Sequence, residues 1–271
     1  VNKGVLLVIA LLISYVFSAE YAVIFREQVD FNSLQDPISL KSIDELDFQT
    51  KGKIVFHELQ RTAQISQKFV VDFLKQESAD FTPFWITNTI IVRNPSQELI
   101  AKLRAREEVA RVELQEPVFL IQPERDIDLH DIKPEATVEW NVQQVKAPEA
   151  WSKGVTGKNI VVGILDTGVV MHEDLKDNYR GFQNGQLNHD YNWFDGVSRK
   201  NCQNAPCDQH GHGSHVTGTI LGNNKAKQYH VGVAPGATFL SCRAFATGSA
   251  TVADILKCFQ FFLSPTKTDG S

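Results

Sequence analysis

The sequence predicts an α/β chain in which a small α+β unit precedes a parallel, doubly wound sheet. Three observations predict it. Strand and helix patterns alternate over residues 21–122, nearly continuous apolar strands begin only after Trp140, and an acidic stretch with two prolines lies between. Of 271 residues, 42% are hydrophobic and 22% charged, which suits a packed core and excludes disorder, coiled coil and collagen. The length admits one large domain or two modest ones. With 27 basic and 32 acidic residues the net charge is -5. No segment carries the clustered positive face that nucleic-acid binding needs.

The elements follow in chain order. Lys3 precedes residues 5–19, of which 13 of 15 are apolar and none is charged. A bilayer span takes about 20 such residues. The run therefore reads as the core of a cleaved secretory signal over residues 1–19, with no stable membrane span, and implies a secreted protein. Tyr21 to Phe25 form a short apolar strand. Val55, Leu59, Ala63, Val70, Phe73 and Leu74 recur at nearly helical spacing and predict one helix across 55–74. Residues 84–92 (FWITNTIIV), β-branched and aromatic, predict a strand. Asn94-Pro95-Ser96-Gln97 predicts a helix start with Asn94 as cap and Pro95 in the first turn. Leu99, Ile100 and Leu103 form that helix's apolar stripe, and 109–114 and 118–121 return as strands. Two helices on one face of a small antiparallel sheet account for these patterns. Residues 123–139 have the composition of a linker.

Beyond the linker, residues 159–165 (NIVVGIL) read as a strand buried on both faces. A second such strand, 238–245, leads into an amphipathic helix with Val252, Ile255, Leu256, Phe259 and Phe262 as its stripe. This alternation implies a parallel sheet. All four cysteines lie in the last third, and an even count in an exported chain predicts two disulfides. Three pairings are open. Cys202–Cys207 with Cys242–Cys258 is the most local.

The chemistry concentrates in two places. Asp166, followed by Thr167-Gly168, ends the first buried strand, and ligand sites in open α/β sheets lie beyond such strand ends. His210-Gly211-His212-Gly213-Ser214-His215 opens a helix predicted to start near His212. A histidine beside a buried carboxylate is the pairing a nucleophilic hydrolase needs, because the carboxylate holds the imidazole in one tautomer and stabilises the imidazolium. A rival makes Cys202, Cys207, His210, His212 and His215 a zinc site. The ligand types suit zinc, but the histidine spacing matches no common site and Asp166 is left unexplained.

Together, I-L-D-T-G-V and H-G-S-H-V-T-G-T in that order resemble the subtilisin-like serine proteases, or subtilases, whose catalytic order is Asp, His, Ser. By this resemblance Asp166 matches the catalytic Asp and His212 the general base, 46 residues apart. Gly232-Val233-Ala234-Pro235 matches a further family block. Residues 140–151 are most similar to the start of the mature enzyme in the bacillopeptidase F branch. The resemblance implies the N-terminal half of a subtilisin-like doubly wound parallel sheet, preceded by a ferredoxin-like α+β propeptide. The implied division is a signal (1–19), an inhibitor-type propeptide (20–122), a linker with the processing site (123–139) and part of the catalytic domain (140–271).

Thr247, Gly248 and Ser249 fall where the family has its substrate-pairing edge strand, and pairing there would bind an extended polypeptide by strand addition. Ala250 stands where a second glycine is common, which narrows the upper cleft. The implied partners are polypeptide substrates and the chain's own propeptide, acting as intramolecular inhibitor and folding chaperone. No cofactor is required for catalysis. Asp174, in H-E-D-L, matches a family calcium ligand, so a structural calcium ion is an open expectation.

The family's nucleophile lies in G-T-S-M-A and its oxyanion-hole Asn in an N-N-S-W-G-like stretch, and neither motif occurs in these 271 residues. Ser271, 59 residues after His212, does not match the nucleophile. Position 1 is Val and the only methionine is Met171. The expectation is a serine endopeptidase precursor truncated before its catalytic serine and inactive by itself. The alternative is a natural pseudoprotease or a propeptide-type inhibitor.

Overall fold

The computed structural model describes residues 19–37, 41–121, 137–197, 202–224 and 229–271. The expected signal, apart from Ala19, and the linker up to residue 136 lie outside them. The first unit runs β1 (Glu20–Phe25), α1 (Phe48–Ser66), α2 (Lys68–Gln76), β2 (Asp80–Phe84), β3 (Thr89–Arg93), α3 (Gln97–Arg104) and β4 (Val109–Gln115). Its sheet has the order β2-β3-β1-β4 with every neighbour antiparallel. Val23, Phe25, Ile90 and Val92 point from the sheet into a core closed by Val70, Leu74, Ile100 and Leu103.

Three local expectations are corrected here. The helix expected over 55–74 is two helices, because Ser66 Oγ donates back to Thr62 O and Gln67 Nε2 donates to Phe84 O. Such back-bonding competes with the helical ladder and bends it. The single strand expected over 84–92 is a hairpin whose turn ends at Asn88, held at φ 43°, a left-handed conformation that Asn tolerates. Its first arm, β2, contains Pro83 and was hidden by it. As an edge strand β2 has no neighbour to miss the lost N–H. Lastly, Ser96 rather than Asn94 caps α3, its hydroxyl accepting from Leu99 N. Asn94 instead accepts from Ala19 N.

The chain then forms the two-residue β5 (Val118–Phe119) and resumes at α4 (Trp140–Gln144) and α5 (Ala147–Ser152). The buried strand is β6 (Val161–Asp166), followed by α6 (Glu173–Lys176), the small hairpin β7 (Phe182–Gln183) and β8 (Gln186–Leu187), and β9 (Trp193–Asp195). Next come α7 (His212–Leu221), β10 (Asn223–Asn224), β11 (Tyr229–His230), β12 (Thr238–Arg243), β13 (Ser249–Ala250) and α8 (Val252–Leu263). Strand β12 lies between β6 and β9 and is parallel to both. Its last residue, Arg243, is opposite Asp166 on one side and Asp195 on the other.

Helix α8 serves two cores. Cys258 and Phe261 pack with Leu240 and Phe245 of the parallel-sheet unit. Ala253 and Leu256 pack with Ala22, Phe84 and Ile91 on the outer face of the first sheet. Gln260 Oε1 accepts from Trp85 N at 2.8 Å across the same junction. The expected stripe is therefore corrected at Phe259, which is exposed, while Phe261 is buried. A helix covered on two sides does not bury the single face that an amphipathic pattern implies. Among the described residues no helix is long and apolar enough to cross a membrane.

Both local disulfides are formed. Cys202–Cys207 joins residues five apart in sequence, and Cys242–Cys258 ties β12 to α8 with 5.6 Å between Cα atoms. Thiol titration of the unreduced, denatured chain is expected to find no free cysteine. Reactive thiol at Cys202 and Cys207 together with bound zinc would contradict this pairing.

Candidate active site

Asp166 sits at the carboxyl end of β6 and His212 at the first position of α7. His212 Nδ1 lies 2.7 Å from Asp166 Oδ1, with the aspartate side chain 8% and the histidine side chain 21% exposed. The same Oδ1 accepts from Thr167 N at 2.7 Å. A carboxylate can only accept, so the contact selects the tautomer of neutral imidazole that carries its proton on Nδ1 and turns the Nε2 lone pair away from Asp166. The two elements approach this closely because of glycine. A Cβ on Gly213 would collide with Gly168 O, and one on Gly168, at φ 111°, would collide with Cys207 O.

The candidate edge strand is β13, and it is already paired. Ser249 is opposite Phe119 and Ala250 opposite Val118 in an antiparallel ladder. Leu120 N continues it, donating to Gly248 O at 2.9 Å. The paired residues are thus Gly248 to Ala250, and Thr247 stands exposed outside the ladder. Leu120 packs against the cluster that contains Leu240, Phe245 and Ala250.

The structure does not bring the other singled-out residues together. Cys202 and Cys207 are joined to each other, so neither offers a thiolate to zinc. Asp174 Oδ1 accepts from Asn224 Nδ2, and among the described residues no three His, Cys, Asp or Glu side chains gather to hold a metal. Ser271 is exposed in a terminal turn, its N–H on Asp269.

Comparison with known proteins matches residues 157–263 to the model of the subtilase family. Over 85% of its length the chain is 32% identical to bacillopeptidase F of Bacillus subtilis. Residues 157–263 form a subtilase domain. Over 36% of its length the chain is also 42% identical to the major intracellular serine protease of the same organism. It spans 17% of the first relative and 28% of the second. The epidermin leader peptide processing serine protease of Staphylococcus aureus shares its fold with a TM-score of 0.50, covering 86% of this chain and 45% of that one at 16% identity.

Three residues around the Asp166–His212 pair have a part in it that was not read from the sequence. Thr167 bonds the Asp166 carboxylate through its N–H and accepts from Gly213 N through Oγ1. Asp208 and Ser214 join that network from the far side. An acidic residue shortly before the histidine motif was the one available signal. Its partners are brought near only by the fold.

Proposed function

We propose that the chain is the N-terminal part of a secreted subtilisin-like serine endopeptidase precursor. The observation that carries this reading is the 2.7 Å contact between Asp166 and His212 at the carboxyl end of a parallel strand. In the proposed reaction, His212 Nε2 takes the proton from a serine hydroxyl as the oxygen attacks the peptide carbonyl. It then returns that proton to the leaving amine, while Asp166 steadies the imidazolium. The serine belongs to sequence beyond these 271 residues, which alone turn over no peptide. The chain extended through its natural downstream sequence is expected to hydrolyse peptide bonds and to be inactivated by serine-directed reagents. If that longer chain cleaves nothing, the pseudoprotease or inhibitor reading replaces this one.

Residues 20–122 act in this proposal as an inhibitory propeptide. The β-α-α-β-β-α-β order, in which two consecutive helices take the place of the first helix of a ferredoxin-like arrangement, supports this, as does the apolar contact of its outer sheet face with α8. Its tail supports it most directly. Val118, Phe119 and Leu120 lie on Gly248 to Ala250 as an extended peptide would. The apolar segment before Glu20 and the two disulfides support export. Separately expressed residues 20–122 are expected to inhibit the mature enzyme with a Ki below about 1 μM, the range open to an interface of standard size. Failure both to inhibit and to assist refolding would remove the propeptide half of the reading.

A further inference from the structure

We propose that Asp208 is a positioning residue for the Asp166–His212 pair: its one carboxylate joins the segment after β6 to the start of α7 and so sets the distance between the two side chains. This rests on the reading of that pair as a catalytic dyad. It adds a residue outside the pair and states how it acts.

Asp208 accepts five hydrogen bonds. Oδ1 takes His210 N at 3.0 Å, Gly211 N at 2.8 Å and Thr167 Oγ1 at 2.9 Å. Oδ2 takes Ser214 N at 2.8 Å and Ser214 Oγ at 2.7 Å. Four of the five come from residues 210–214, the turn that delivers His212. The fifth comes from Thr167, whose own N–H is on Asp166 Oδ1 and whose Oγ1 accepts from Gly213 N. On the other side, Ser214 Oγ accepts from Val170 N at 3.1 Å. Each of the two segments is therefore bound to the other through Asp208 or through a residue that Asp208 holds.

The chemistry suits a carboxylate and no other side chain. Five donors converge on two oxygens, and only an ionised carboxylate presents acceptors alone on both. Burial opposes ionisation of Asp208 most strongly, yet the bonds from Ser214, Gly211 and Thr167 outweigh it and hold the carboxyl below its ordinary range. Asparagine would satisfy one edge and turn an N–H donor toward the Ser214 N–H or the Thr167 cluster on the other. A residue that merely capped the helix would tolerate that change, because Asn and Asp cap about equally well. A junction that needs both edges would not.

The backbone around Asp208 is itself anchored. It forms a bridge with Gly168, and the preceding Cys207 O accepts from Val169 N at 3.1 Å. The carboxylate thus hangs from a loop fixed against the strand end, rather than from a free turn.

The test uses the 271-residue chain and proton NMR. A histidine Nδ1–H held on a carboxylate gives a far-downfield imidazole resonance, and assignment through His212→Gln identifies it in the unsubstituted chain. In Asp208→Asn this resonance is expected to be lost while the circular dichroism of the fold is kept. Thr167→Val, which keeps the side-chain shape and all four bonds from residues 210–214 to Asp208, is expected to lose it as well. It also serves if Asp208→Asn fails to fold. Absence of the resonance from the unsubstituted chain would overturn the dyad and this proposal with it. Its presence there, and survival unshifted in Asp208→Asn or in Thr167→Val, would overturn the positioning role alone.

Discussion

Replacing His212 with alanine in the chain extended to its serine is expected to lower kcat for peptide hydrolysis by about 10⁶-fold, the scale of loss when subtilisin is deprived of its catalytic histidine. Alanine removes the imidazole that lies 2.7 Å from Asp166 and can shuttle a proton. His210, two residues earlier, lies on an exposed turn. Asp166→Asn should cost about 10⁴-fold by presenting a donor where Nδ1–H needs an acceptor, so that the imidazole settles in the wrong tautomer. Steady-state kinetics on a peptide substrate, with circular dichroism to confirm the fold, decides both. Near-normal turnover in either variant would sink the assignment of the pair.

The second large effect falls on stability. Arg243 and Asp195 form a bidentate pair with both contacts at 2.8 Å and side chains only 2% and 1% exposed. Asp195 also accepts from Val197 N and Cys202 N, so it joins the end of β9 to the disulfide loop. Asp195→Ala would remove a bidentate carboxylate from a buried guanidinium, which is expected to destabilise the chain by about 3–5 kcal/mol. Asp195→Leu combined with Arg243→Met should recover most of that loss, since an apolar pair escapes the desolvation of two charges. Denaturant midpoints of the 271-residue chain measure both. A cost below about 1 kcal/mol for Asp195→Ala, the level of an exposed pair, would contradict this account.

Much of the site was legible because its signals are local. Asp166 closes a run of apolar residues and His212 lies among glycines, so each could be placed at the end of its own element. Asp208 and Thr167 were not legible, because their part depends on bonds across 41 residues that no periodicity records. The resemblance put the pairing edge at 247–249, and the residues that pair with 118–120 are 248–250, where Leu120 packs against the cluster built on α8 and β12.

The fold divides in the same way. Periodicity and capping residues by themselves determined an antiparallel unit followed by parallel strands, because strand and helix patterns are properties of neighbouring residues. Only the tertiary structure decided where α1 ends. Gln67, at the junction of α1 and α2, turns its side-chain amide to Phe84 O and Asn88, partners 17 and 21 residues away. It also decided which face of α8 is covered. The sequence shows one apolar stripe, but the helix is enclosed by Phe261 packing on one side and Ala253 and Leu256 on the other. Burial on the second side comes from a sheet more than 150 residues earlier, and a helix carries no record of a distant surface until the two are in contact.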